Sequence, residues 1–162
     1  MADDEEEGMK TRIVKARRKH LADCAEAVRD SELGRVYFEP EDDLVAYLAE
    51  GMKNETMFVA LGEDDGFRGF AWFVENGAFH AFPYVHMIAV GKEFRGRGIG
   101  TQLMGFVERT VFAQHSKMFL VVADFNPDAR RLYERLGYEK VGDVPGLYRE
   151  NVTEHLMMKL RE

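Results

Sequence analysis

The chain has 162 residues, 46% apolar and 31% charged, which suits one soluble globular domain with a real core and excludes wholesale disorder. The formal net charge of −7 is concentrated in Asp3, Asp4, Glu5, Glu6 and Glu7, since 29 acids less these five leave 24 against 22 bases. No apolar run reaches the roughly 20 residues of a membrane span, no signal-peptide pattern opens the chain, and no basic stripe points to nucleic acid. A cytoplasmic protein is therefore expected, with an acidic, disordered tail at residues 1–8 and a single domain over residues 9–162.

After the tail, residues 11–16 read as a strand and residues 18–31 as a helix. Its apolar stripe is Leu21, Cys24, Ala25 and Val28, at i, i+3, i+4, i+7 spacing. Cys24 belongs to that stripe and is expected to be a buried structural thiol. Gly34 is predicted to break the helical pattern. Acids at 41–43 then favour the start of a second helix carrying Leu44, Val45, Tyr47 and Leu48. Residues 57–61 and 67–74 form a predicted hairpin across the polar turn 62–66, and 75–83 reads as a loop. Residues 84–90 make a further strand.

The second half changes rhythm. A glycine-rich turn, 91–100, leads into a helix with Ile99, Leu103, Phe106, Val107 and Val111 on one face. Residues 118–123 are almost continuously apolar, as in a strand buried on both faces. Asn126-Pro127-Asp128 carries three start signals for a short helix: an Asn cap, Pro at the first position, and an acid at the positive end of the dipole. Gly137 takes the left-handed stop position with Tyr138 closing over it. Two short strands, 138–142 and 154–160, finish the chain. The class is mixed α/β, with a βαβ unit over 84–123.

The turn carries chemistry. Three alternating glycines (Gly96, Gly98, Gly100) follow a strand and open a helix, and Arg95 and Arg97 flank them. Converging backbone N–H groups, the helix N-terminus and two cations together make a phosphate or pyrophosphate cradle. Spacing excludes the alternatives: Gly100 is followed by Thr101-Gln102 rather than Lys-Ser/Thr, and G-x-G-x-G is not a dinucleotide fingerprint. Ser31 and Ser116 lie in no nucleophile elbow, and the five histidines have no zinc-ligand spacing.

Arg95-x-x-Gly98-x-Gly100 resembles the R/Q-x-x-G-x-G/A signature of the GNAT N-acetyltransferases, and Asn126-x-x-Ala129-x-x-Leu132-Tyr133-x-x-x-Gly137-Tyr138 resembles that family's second segment. The resemblance implies a central, mixed, mostly antiparallel sheet with flanking helices and a splayed parallel pair of strands, 84–90 and 118–123. It implies acetyl-CoA as co-substrate, with no metal. Backbone groups of Ile88, Ala89 and Val90 would meet the pantetheine arm, and Arg95, Gly96, Arg97, Gly98, Ile99, Gly100 and Thr101 the pyrophosphate. Asn126 would contact the cofactor, and Tyr133 would stand near the sulfur.

Thioester aminolysis requires a neutral amine, a donor for the developing oxyanion and a proton for the leaving thiolate. Tyr133 is the expected general acid. His86, on one strand face with Tyr84 and Ile88, Glu75 and Asp124 at strand ends, and a water chain are the candidate bases. One branch of the family that acetylates protein N-termini carries a glutamate in the strand before the Asn motif. Leu120-Val121-Val122-Ala123 has none, which argues against that acceptor. The expected partners are acetyl-CoA and an amine bound among segments 31–43, 75–84 and 144–151, with no nucleic acid and no membrane; a homodimer stays open. A CoA-binding regulatory module without turnover and an enzyme using a longer acyl-CoA are the rival readings.

Overall fold

The computed structural model describes residues 9–162; the acidic tail expected at residues 1–8 lies outside them. Strands β1 (Arg12–Lys15), β2 (Met57–Leu61), β3 (Phe67–Ala78), β4 (Phe82–Val90), β5 (Lys117–Ala123), β6 (Glu139–Pro145) and β7 (Thr153–Leu160) form one sheet in the order β1-β2-β3-β4-β5-β7-β6. The ladders β1–β2, β2–β3, β5–β7 and β6–β7 are antiparallel, and β4–β5 is parallel. The helices are α1 (Leu21–Arg29), α2 (Glu32–Tyr37), α3 (Leu44–Met52), α4 (Ile99–Phe112) and α5 (Pro127–Arg135). No helix among the described residues is long and apolar enough to cross a membrane.

The described residues cluster into two compact units, and β3, β4 and α4 each contribute to both. The first comprises residues up to Trp72 together with Met87–Val107. Its core sets the predicted stripe of α1 (Leu21, Cys24, Ala25, Val28) among Leu44 and Leu48 of α3, Met57 and Val59 of β2 and Phe70 of β3. Cys24 is fully buried, and burial pushes its thiol up to about 12, so it is an inert packing group. The predicted break at Gly34 is corrected: Gly34 lies inside α2, which Ser31 caps by accepting the Gly34 N–H at 3.0 Å. A Cβ at Gly34 would stand 1.8 Å from the Val28 carbonyl oxygen, so the glycine serves close backbone approach rather than helix termination.

The second unit comprises Phe73–His86 and Glu108–Glu162. Its backbone is the β5–β7 ladder, seven consecutive pairs from Lys117↔Leu160 to Ala123↔Glu154. The predicted loop at 75–83 is also corrected. β3 runs on to Ala78 and β4 starts at Phe82, joined by a tight turn closed by Ala81 N–H donating to the Ala78 carbonyl at 3.0 Å. Phe79 and His80 both take left-handed φ values, 57° and 58°. Such a turn normally announces itself as Asn-Gly, so Phe-His gives no signal.

α5 ends as the Gly137 stop requires. Gly137 has φ +97°, its N–H donates to Glu134, and the Tyr138 N–H donates to the Tyr133 carbonyl at 3.0 Å. This is the paired closure of a Schellman motif.

Candidate active site

In the first unit, β4 delivers the chain into a short 3-10 turn, Lys92–Phe94, pinned by Gly91 N–H donating to the Arg68 carbonyl at 2.7 Å. The Arg68 guanidinium lies over the Phe94 ring, 4.2 Å from its centroid. Gly96 and Gly98 follow with φ +74° and +79°, conformations a side chain would strain. α4 begins directly after them. Its first intrahelical bond runs from Gln102 N–H to the Gly98 carbonyl at 3.1 Å, so the N–H groups of Ile99, Gly100 and Thr101 have no partner within the helix. The turn thus presents left-handed glycines, three first-turn donors and the exposed Arg97.

Arg95 is committed to holding the turn. Its Nη2 donates to the Asp30 carbonyl at 3.0 Å and its Nε to the Val90 carbonyl at 3.3 Å. A second tie comes from the N-terminal side. Met9 N–H donates to the Arg97 carbonyl at 3.2 Å, Gln102 Nε2 to the Met9 carbonyl at 2.6 Å, and Thr11 Oγ1 to Gln102 Oε1 at 2.5 Å. Nothing in residues 9–11 signals this contact, because it depends on long-range placement. Ile88 and Val90 are half-buried and Ala89 is buried, in the strict alternation of β4.

In the second unit, Asn126 caps α5, its Oδ1 accepting the Ala129 N–H at 3.3 Å. Tyr133 is 6% exposed, and burial pushes its phenol up to about 12. Its ring meets Tyr138 edge-on at 5.9 Å between centroids. The Tyr138 hydroxyl is buried, and burial first and the nearby Glu108 carboxylate second push its phenol far up. Glu108 pairs with Lys159 at 3.0 Å.

Among the candidate bases, His86 is half-buried, contacts the Tyr84 ring at 6.3 Å, and is pushed below the usual histidine range by burial. It is neutral at pH 7 and able to accept a proton. Asp124 is exposed and closes the strand end, its N–H donating to the Thr153 carbonyl at 2.9 Å and its Oδ2 accepting the Thr153 N–H at 3.2 Å. Glu75 stands exposed within β3, not at a strand end.

Two further features belong to this unit, one in the expected acceptor segment 144–151 and one outside it. The Tyr84 and Tyr148 hydroxyls are 2.9 Å apart, and Glu154 of β7 is 2% exposed. A single glutamate in Thr-Glu-His-Leu-Met-Met carries no sequence signal for burial. Among the described residues no group of three His, Cys, Asp or Glu could hold a metal ion.

The chain is similar to known acetyltransferases. The chain is 30% identical over 103 residues to a mycothiol acetyltransferase of Corynebacterium aurimucosum, covering 63% of this chain and 32% of that protein. It is 28% identical over 128 residues to an acetyltransferase of Agrobacterium fabrum, covering 76% and 85%. The chain spans only about a third of the length of the first curated relatives it matches. A GNAT-family acetyltransferase structure from Bacillus cereus superimposes with TM-score 0.77 at 17% identity, over 94% of this chain and 99% of that one. Residues 19–138 match the Acetyltransferase (GNAT) family, and the chain belongs to that family.

Proposed function

We propose that this protein transfers the acetyl group of acetyl-CoA to a primary amine by direct attack in a ternary complex. One observation carries the reading: two left-handed glycines feed a helix whose first three N–H groups have no intrahelical partner. That arrangement fits a pyrophosphate. Residues 95–101 would hold it, with Arg95 fixing the turn and Arg97 supplying the mobile charge. Backbone groups of Ile88, Ala89 and Val90 would hold the pantetheine arm and polarise the thioester oxygen. Asn126, beyond its role as a cap, would contact the same arm.

In the reaction the acceptor ammonium loses a proton to His86, and the amine nitrogen forms a bond to the thioester carbon. The C–S bond then breaks, and the sulfur leaves as a thiolate. The attacking nitrogen sheds its remaining extra proton to solvent as the amide forms. Tyr133, whose phenol burial pushes up and so keeps protonated at neutral pH, donates to the departing sulfur and regains a proton from solvent.

The test is thermal unfolding with CoA and acetyl-CoA, followed by free-thiol release with a panel of amines. Ligand at a hundred times its dissociation constant stabilises by about 2.7 kcal/mol, a clear melting shift. Gly98→Glu and Arg97→Ala should each reduce that shift. An unchanged melting temperature in millimolar CoA would sink the reading. A shift without turnover on any amine would instead leave a CoA-binding module.

A further inference from the structure

In the first unit, the glycine turn is a backbone that needs to be held. Gly96 and Gly98 are left-handed, Gly100 follows them, and a Cβ built on Gly96 would meet nothing within 4 Å. No packing fixes the chain on that side, and glycine gives up more conformational freedom than any other residue when it is ordered. Ordering that waits for a ligand is subtracted from the ligand's affinity. The groups that fix this turn beforehand therefore set how tightly it can hold an anion.

Arg95 fixes the start of the turn through the Val90 and Asp30 carbonyls. Its end is fixed by Gln102 of α4 together with residues 9–11. A helical side chain leans toward the N-terminus of its helix, so the half-buried Gln102 lies back over the turn that precedes it. There both ends of its amide are used: Nε2 donates to the Met9 carbonyl at 2.6 Å, and Oε1 accepts from Thr11 Oγ1 at 2.5 Å. Met9 N–H donates in turn to the Arg97 carbonyl at 3.2 Å, and the Gln102 backbone N–H donates to the Gly98 carbonyl at 3.1 Å. One residue thus governs both peptide planes that flank Gly98, the 98–99 plane directly and the 97–98 plane through Met9. Across a trans peptide the N–H points opposite to the C=O. Holding the Arg97 carbonyl toward Met9 turns the Gly98 N–H away from residues 9–11. Holding the Gly98 carbonyl toward Gln102 turns the Ile99 N–H out of the helix end. The far side of this strap is anchored as well, because β1 pairs with β2 from Arg12↔Leu61 to Lys15↔Phe58.

We propose that Gln102 is a positioning residue for the pyrophosphate of acetyl-CoA: clamped to Met9 and Thr11, it holds the Gly98 and Ile99 N–H groups in the directions an anion needs. The identity of the ligand rests on the acetyltransferase reading above. Gln102 acts through the backbone, so a change there lowers affinity without removing any donor from the turn. Coupling of this kind is reciprocal, and a bound ligand must also tighten the strap on the turn.

The experiment uses the full chain and reads binding rather than turnover. The dissociation constant of CoA is measured by calorimetric titration, and amide hydrogen exchange of the peptide over residues 9–15 is followed with and without saturating CoA. Gln102→Met keeps length and helix propensity but loses both side-chain bonds, and should weaken CoA about five- to twentyfold. Gln102→Glu keeps the Thr11 bond but sets a carboxylate oxygen against the Met9 carbonyl, and should be no better. Met9→Pro deletes one N–H, the one bonded to Arg97, and should act in the same direction. Cys24→Ala, a core change far from these contacts, should cost stability in urea but leave CoA affinity unchanged. In wild type CoA should slow exchange over residues 9–15 at least about threefold, and in Gln102→Met it should not. If Gln102→Met does not fold, Met9→Pro and the wild-type exchange decide. Unchanged CoA affinity in Gln102→Met and Met9→Pro, or an equal loss in Cys24→Ala, overturns the proposal and leaves Gln102 a residue of the fold alone. Wild type that binds no CoA refutes the acetyltransferase reading itself, whereas CoA binding that survives loss of the clamp refutes only this inference.

Discussion

Tyr133→Phe removes one hydroxyl and keeps the ring that packs edge-on against Tyr138. If the phenol donates a hydrogen bond to the departing sulfur, kcat should fall about 10²- to 10³-fold, the usual loss for one preorganised donor. The Michaelis constant for acetyl-CoA should stay near its wild-type value, because the donor acts in the transition state. The structure adds a second readout. Burial raises the phenol from 10 to about 12, so the folded state holds its proton where the unfolded chain has lost it. The associated stability is fully present below pH 10 and is lost as pH rises through 12. Two units correspond to about 2.7 kcal/mol in all, and roughly half of it is gone by pH 11. Urea unfolding at pH 9 and pH 11 should therefore show wild type losing about 1.4 kcal/mol more than Tyr133→Phe over that interval. Full turnover in the folded variant would remove Tyr133 from the chemistry, and equal alkaline losses would contradict its burial.

Cys24, with its thiol pushed up to about 12, should react with iodoacetamide at pH 8 about a thousandfold more slowly in the native protein than in urea, as followed by mass spectrometry. Asn126→Ala should cost about 1 kcal/mol in urea unfolding, because the Ala129 N–H loses its cap. Replacing Phe79-His80 by Asn-Gly should stabilise the protein by about 1 kcal/mol or more, since both positions have left-handed φ. A melting temperature that falls in this double variant would show that the Phe79 contact with Phe119 outweighs the backbone strain.

Local chemistry made much of this fold readable. The Asn126 cap, Pro127, and Gly137 with Tyr138 define both ends of α5 in sequence, and the structure has them there. The glycine turn and the α1 stripe were equally plain, since each depends on residues a few positions apart. What escaped depends on distant partners. Glu75, Asn76 and Gly77 are exposed and poor strand formers, yet they continue β3, whose hairpin turn lacks the usual residues. Gly34 reads as a breaker until the Val28 carbonyl is known to lie against it. Tyr148 looks like an ordinary loop tyrosine, and its hydroxyl contact with Tyr84 joins positions 64 apart in the chain.

The closure of α5 has a practical consequence for genetics. The Tyr138 N–H bonds to the carbonyl of Tyr133 itself, and the two rings touch, so the helix stop fixes the phenol from behind. Gly137 is the residue that permits that bond, at φ +97°. A screen for lost activity would accordingly return substitutions at Gly137 alongside those at Tyr133, although glycine has no group to offer a substrate. Such alleles should be suppressible by second-site changes that restabilise the turn, whereas alleles at Tyr133 should not.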